Sequence, residues 1–141
     1  MTTPLWALLG FALWTLIVLM VGVGVRRWSL ILTGRAQVTA FPADVPHGSD
    51  AYRRAVRAHL NCVENLPVFA SIVLIAAVTQ VTSPTMDALA IAFMAARVSQ
   101  TLVHVAVTET NATVLMRFGF FFIQIVATFW MALEVVRHAP A

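Results

Sequence analysis

Arg57, Asn61 and Glu64 combine residue types and a spacing that could do chemistry inside a membrane. They stand at positions i, i+4 and i+7, so they would form one polar stripe along a single face of a helix. No further charged residue follows until Asp87, which makes the stripe the start of a bilayer-spanning segment. A carboxylate carried into a membrane costs about 3 kcal/mol or more unless it meets a partner. We therefore expect Glu64 to pair with a cationic side chain or with the cationic group of a ligand.

Two later segments would bring polar residues to the same depth. Arg97, Gln100 and His104 share one helical face, and Gln124 lies two turns beyond Arg117. With a rise of about 1.5 Å per residue, each of these helices places a polar group roughly 15–20 Å from the same membrane surface. The other half of the bilayer would then stay apolar.

These polar groups predict a cavity that opens toward the cytoplasmic face. Its expected lining combines guanidinium, amide, imidazole and carboxylate groups: Arg57, Asn61, Glu64, Arg97, Gln100, His104, Arg117 and Gln124. Such a set suits an amphiphilic anion with an amine of its own, because carboxylates pair with arginine and an ammonium group pairs with Glu64. A second interpretation stays open, in which Glu64 and Arg97 form a buried ion pair that only fixes helix packing.

The composition indicates an integral membrane protein. Of the 141 residues, 60% are hydrophobic and 11% are charged, against about a quarter charged in a soluble domain. The apolar runs predict one all-α domain, 1–141, built as a four-helix transmembrane bundle with spans at about 4–32, 50–81, 84–107 and 111–136. Cys62 is the single cysteine, so the chain cannot form an internal disulfide. We expect it to be a buried packing residue, as free cysteines usually are.

The longest connection, residues 26–53, is rich in arginine. All nine basic residues of the chain are Arg. Five of them lie in or beside this loop, against the two carboxylates of Asp44 and Asp50: Arg26, Arg27, Arg35, Arg53 and Arg54. An excess of arginine next to membrane spans marks the cytoplasmic side. We therefore expect this loop in the cytoplasm and both termini on the other side of the membrane.

The second span resembles the MAPEG family, the membrane-associated proteins in eicosanoid and glutathione metabolism, in the run Arg54-x-x-Arg57-Ala58-His59-x-Asn61-x-x-Glu64-Asn65-x-Pro67-x-Phe69. Further similarities are the four spans, the long basic loop and Arg97 in the third span. The chain resembles a bacterial-type member of the family. The resemblance implies a homotrimer in the bacterial inner membrane. It also implies glutathione as co-substrate, bound between neighbouring subunits in the cytoplasmic leaflet, with no metal and no nucleic-acid partner.

The resemblance implies roles for individual residues in holding glutathione. Asn61 and Glu64 would bind the peptide with support from Arg57, and either Arg26 or Arg27 would reach it from the adjacent subunit. The other expected contacts of the peptide are Arg97, Gln100 and Gln124.

For catalysis, the resemblance implies that Arg117 favours the glutathione thiolate, with His104 as the second candidate residue. Gln100 and His104 depart from the tyrosine-containing pattern of many enzymatic members on the third span.

Three functions are compatible with these residues. The first is a glutathione transferase or peroxidase that acts on a lipophilic small molecule. The second, favoured by the departures at Gln100 and His104, is a non-catalytic family member that binds membrane lipid. The third, from outside the family, is a small proton-coupled exporter that uses Glu64 as its membrane carboxylate.

Overall fold

Four long helices make up the computed structural model, which describes residues 1–42 and 47–139, so that Asp44 lies outside the described residues. All four are long and apolar enough to cross a membrane, which confirms the predicted all-helical membrane fold. The first helix has three segments, namely α1 (Thr3–Ile17), a π-helical segment (Val18–Gly24) and α2 (Val25–Leu32). The others are α3 (Asp50–Val78), α4 (Pro84–Ala106) and α5 (Asn111–His138), with a 3-10 turn (Val38–Ala40) before α3.

The bundle has two chemically different ends. Short turns join α3 to α4 and α4 to α5, so successive helices run in opposite directions. The loop before α3 and the turn at 107–110 therefore lie at one end, as the ion pair between Arg57 and Glu109 shows. We call this the arginine-rich end. Thr2, Gln80 and Asp87 lie together at the opposite end.

The end of α3 differs from the prediction. The helix stops at Val78 instead of continuing to residue 81. Gln80 has a left-handed φ of +56°, and this lets the Val81 N–H reach back to the Ala76 carbonyl at 2.9 Å. Glycine usually takes this position in a helix end, so a glutamine there carries no signal of termination in the sequence.

Three phenylalanines join α1, α3 and α4 in the core. The rings of Phe69 and Phe93 stack with centroids 4.0 Å apart, and Phe11 approaches them at 6.1 and 5.5 Å. Each such pair contributes about 0.5–1.5 kcal/mol beyond the burial of its area. The Arg97 guanidinium lies 5.4 Å from the Phe11 ring centroid, so the polar interior begins directly beside this cluster.

The face of α3 that packs into the bundle is made of small and apolar residues. Ala55, Ala58 and Cys62 are buried there together with larger residues toward the opposite end. The first helix comes close, because a Cβ atom built on Gly22 of the π-helical segment would lie 3.2 Å from the Ala55 Cβ. Residues along a helix are rotated by about 100° from one to the next. This inward stripe therefore leaves positions 57, 61 and 64 on other faces.

A buried carboxylate lies near the end of the bundle opposite the arginine-rich end. Glu134 near the end of α5 is only 9% exposed, and its carboxylate accepts a hydrogen bond from the Ser83 hydroxyl at 3.3 Å. His138 Nδ1 lies 3.8 Å from the same carboxylate. The carboxylate is satisfied because the turn between α3 and α4 brings a hydroxyl group to it.

Candidate functional site

Polar side chains of α4 lie inside the bundle along one face. Arg97 is 1% exposed, Gln100 7% and His104 5%, so the common face that their spacing predicts exists and points inward. This interior column begins at the phenylalanine cluster and ends near the arginine-rich end. It is the first of two polar surfaces on the subunit.

Arg97 is the deepest charge in the column. Its guanidinium contacts the Cys62 thiol, whose Sγ is 3.8 Å from the Thr101 hydroxyl oxygen. The Nε and Nη2 atoms of Arg97 have no hydrogen-bond partner within residues 1–42 and 47–139. Cys62 is fully buried, as expected of a packing residue. No salt bridge within the described part of the chain joins Arg97 to Glu64, which is exposed. The alternative of a buried Glu64–Arg97 ion pair is therefore wrong.

Gln124 connects the column to α5. Its Nε2 donates to Gln100 Oε1 at 3.0 Å and to the Phe120 carbonyl at 3.0 Å. Gln100 Nε2 in turn donates to the backbone carbonyl of Arg117 at 3.2 Å. These bonds fix α5 against α4, so neither side chain can leave the interior without losing a buried hydrogen bond. The Gln124 Oε1 atom has no hydrogen-bond partner within the described residues.

A charged network lies where the column reaches the arginine-rich end. Arg117 Nη1 is 3.1 Å from His104 Nδ1 and 3.3 Å from Glu109 Oε1. The same carboxylate oxygen lies 3.8 Å from Arg57 Nη1. Two guanidinium groups therefore share one carboxylate oxygen, and Arg54 is a further positive charge near His104. We call Arg54, Arg57, Arg117 and Glu109 the rim cluster. Glu109 was not predicted as a site residue, since it lies in a turn outside every motif.

The predicted stripe of α3 forms the second polar surface, and it faces outward. Glu64 and Arg57 are exposed, and Asn61 is half-buried. Leu60 and Val68 on the same side are 51% and 55% exposed. The prediction that Glu64 and Arg97 share one cavity is therefore wrong for a single subunit. The physical reason is that Ala55, Ala58 and Cys62 pack against the neighbouring helices. The face of α3 that lies inside the bundle is therefore the one opposite to the polar stripe.

Arg26 and Arg27 differ in their surroundings although they are adjacent. The Arg27 Nε donates a hydrogen bond to the buried Tyr52 hydroxyl, and its guanidinium lies 5.4 Å from the Phe41 ring centroid. Arg26 is exposed, and its guanidinium is 5.8 Å from the Tyr52 ring. Gly48, with φ of +81°, passes so close to Tyr52 that a Cβ atom there would lie 2.8 Å from Cδ1. The sequence offered no reason to include Tyr52, because its partner is distant along the chain.

Two cavities of the subunit lie away from these polar residues. One of about 280 Å³ lies at the opposite end, with an apolar floor including Leu5 and Val73 and with Gln80 and Asp87 in its wall. A shallower groove of about 610 Å³ runs between α1 and α4. None of the ten predicted site residues lines either of them. Neither of these two cavities therefore brings the predicted site residues together.

The two surfaces together can bind an anion that also carries a positive group. The rim cluster offers guanidinium groups, and the outer stripe offers a carboxylate at greater membrane depth. Among residues 1–42 and 47–139, no group of three His, Cys, Asp or Glu side chains could hold a metal ion.

Comparison with known proteins agrees with the four-helix plan and with the motif in the second span. The chain matches the MAPEG family over residues 3–137. No curated protein and no solved structure matches it. Because the match covers nearly the whole chain, including all four helices, this membrane protein belongs to the MAPEG family, which is associated with eicosanoid and glutathione metabolism.

Proposed function

We propose that this protein is a glutathione-dependent transferase, with peroxidase activity, that acts on lipophilic electrophiles in the membrane. Its site would form between neighbouring subunits of a homotrimer, at the arginine-rich end, which faces the cytoplasm of a bacterial cell. The observation that carries this proposal is the outward position of Glu64 in a membrane-spanning helix.

An exposed carboxylate at this depth is unstable against lipid. Position 64 lies about 20 Å along α3 from Asp50, at a rise of about 1.5 Å per residue. Glu64 forms no salt bridge within the described residues. A carboxylate facing hydrocarbon costs about 3 kcal/mol or more. A neighbouring subunit that covers this face, with a ligand ammonium group between them, removes that cost.

The charges of glutathione match the two polar surfaces. The peptide has two carboxylates, one ammonium group and a thiol. Glu64 and Asn61 would receive the ammonium end, and the rim cluster would receive a carboxylate. Arg26 of the adjacent subunit would bind the other carboxylate, because Arg27 is already held by Tyr52 and Phe41. Arg97, Gln100 and Gln124 would act behind this surface by fixing α4 and α5.

The reaction needs only a thiolate beside an apolar space. The thiol proton passes to water, and the excess positive charge of the rim cluster stabilises the thiolate that remains. The sulfur then attacks an electrophilic carbon, a C–S bond forms, and the leaving group departs with its bonding electrons. With a lipid hydroperoxide, two glutathione molecules would instead be oxidised to the disulfide while the peroxide is reduced to an alcohol and water. His104 and Arg117 stay predictions as catalytic residues.

A second function has one observation in its favour. Gln100 and His104 are engaged inside the subunit, by Gln124 and by Arg117, so neither is free to donate a hydrogen bond to a thiolate. A family member that binds membrane lipid without catalysis would show this arrangement. The exporter hypothesis gains nothing from the structure, because Glu64 lies on the outer surface and not along an interior path.

Two measurements on detergent-solubilised protein test the proposal. Calorimetric titration should give heat with glutathione, and glutathione sulfonate should compete for the same site. Conjugation of a chlorinated nitrobenzene should run faster than the uncatalysed reaction. Binding without turnover would favour the lipid-binding function, and absence of heat together with absence of competition would refute both glutathione-dependent activities.

A further inference from the structure

Asp87 lies at the end of the bundle opposite the arginine-rich end, in the wall of the cavity of about 280 Å³ between the first helix, α3 and α4. We propose that this cavity, together with the groove between α1 and α4, binds a phospholipid whose headgroup carries a primary ammonium group, as in phosphatidylethanolamine. The ammonium group pairs with the Asp87 carboxylate, and one acyl chain lies in the groove. The proposal does not depend on glutathione, whose proposed site lies at the other end of the bundle.

Asp87 is a carboxylate without a partner in the subunit. Its side chain forms no hydrogen bond and no salt bridge within residues 1–42 and 47–139, whereas the carboxylates of Asp50, Glu109 and Glu134 each have a partner. It is half-buried and lies about 4.5 Å inside α4, which begins at Pro84. The N-terminus of α4 favours an acidic residue in its first turn. This effect does not explain why the carboxylate borders a cavity with an apolar floor, where a cationic partner stabilises it most.

The cavity has the size and the polarity of a lipid headgroup. Leu5 and Val73 contribute to its apolar floor. Thr2, Gln80 and Thr82 also line it, and they are exposed, so their hydroxyl and amide groups lie at its edge. At about 30 Å³ for a group the size of water, the cavity holds roughly nine such groups, which is close to a phosphoethanolamine group. The methylene carbons of the headgroup pack on the floor, and the phosphate oxygens accept hydrogen bonds at the edge.

The groove between α1 and α4 continues from the cavity and provides a place for an acyl chain. Asp87 of the cavity and Ile91 and Ala95 of the groove stand at i, i+4 and i+8, so they share one face of α4. Thr2 of the cavity and Trp6 of the groove are likewise four residues apart at the start of the first helix. Trp6 and Ile91 are 59% and 58% exposed, which leaves the groove open to an apolar chain. A soluble amine fills the cavity alone, whereas a phospholipid fills both, and this favours the lipid.

Native mass spectrometry of the full-length protein in detergent tests the proposal. The protein is incubated with equal amounts of phosphatidylethanolamine and phosphatidylglycerol that have the same acyl chains. The wild-type protein should retain about three- to tenfold more of the ammonium lipid, because only that lipid has a cation for Asp87. Asp87→Asn should remove this preference, and Asp87→Glu should keep most of it. Equal retention of the two lipids by the wild-type protein, or an unchanged preference in Asp87→Asn, would overturn the inference.

Two further variants test the parts of the site separately. Asp50→Asn is the matched control, since it removes a carboxylate from the arginine-rich end, where its partner is Arg53, and it should leave the preference unchanged. The same loss of preference in Asp50→Asn and Asp87→Asn would show an effect of net charge and would contradict the proposal. Ala95→Trp fills the groove and should lower the retention of both lipids at constant oligomeric mass. A change of oligomeric mass in this variant would mean that a second copy of the chain covers the groove, and the lipid assignment would then be wrong.

Glutathione titration separates a local effect from a global one. Because the two sites lie at opposite ends, Asp87→Asn should bind glutathione as the wild-type protein does, and its thermal midpoint in lipid-free detergent should stay nearly unchanged. Parallel loss of lipid preference and thermal stability would show that Asp87 only supports the fold. If the wild-type protein binds no glutathione but prefers the ammonium lipid, the proposed function fails and this site stands.

Discussion

Replacing Arg26 and Arg27 one at a time by alanine separates a structural arginine from one that is available to a ligand. Arg27 donates a hydrogen bond to Tyr52 and lies over the rings of Phe41 and Tyr52 at 5.4 and 5.8 Å. The hydrogen bond from a charged donor contributes about 1.5–3 kcal/mol, and each ring contact about 0.5–1 kcal/mol. Arg27→Ala should therefore lower the free energy of unfolding by about 2.5–5 kcal/mol.

Arg26 should behave in the opposite way. Its side chain is exposed, and its one ring contact, with Tyr52 at 5.8 Å, contributes about 0.5 kcal/mol. Arg26→Ala should leave the thermal midpoint nearly unchanged and weaken glutathione about tenfold. Thermal unfolding in detergent measures the first effect, and calorimetric titration measures the second.

The two adjacent positions control for each other, because both substitutions remove the same side chain from the same helix. Tyr52→Phe is a further control that removes only the hydroxyl, and it should reproduce part of the Arg27→Ala destabilisation without affecting binding. This division of roles would be refuted if Arg27→Ala weakened glutathione binding without changing the thermal midpoint while Arg26→Ala left binding unchanged.

Three other substitutions test separate parts of the structure. Glu64→Gln should weaken glutathione at least about tenfold, because the ammonium partner is lost, whereas Asp50→Asn should not; equal affinities would count against the outer stripe as a binding surface. Gly48→Ala should destabilise by about 1–3 kcal/mol in thermal unfolding, since φ is +81° and the new Cβ would lie 2.8 Å from Tyr52 Cδ1; an unchanged midpoint would contradict the tight contact. Gln124→Ala leaves the Gln100 carbonyl without its donor and should cost about 1–3 kcal/mol, a loss that denaturant titration would detect.

The position of Glu64 shows where prediction from the sequence stopped. Its membrane depth follows from its distance along α3, which the helical rise determines. The direction in which its side chain points does not follow from the sequence, because α3 carries two stripes that could face inward. The small side chains of Ala55, Ala58 and Cys62 allow a closer approach of the neighbouring helices, so that stripe is buried and Glu64 faces out.

For a related reason, the roles of Glu109 and Tyr52 could not be predicted from sequence patterns. Both contact arginines that are far from them in sequence, and no periodicity links a turn residue to a helix residue across the bundle. The π-helical segment also makes the directions of Arg26 and Arg27 hard to predict, because it changes the rotation of the first helix just before them.

The sequence by itself determined the four membrane spans, the family motif in α3 and the shared polar face of α4, because hydrophobicity and helical periodicity are local properties. Only the tertiary structure decided which polar face points inward, which arginine is held by an aromatic ring and which carboxylate lies between two guanidinium groups. These depend on how closely helices approach one another, and that distance is set by side chains that lie far apart in the chain.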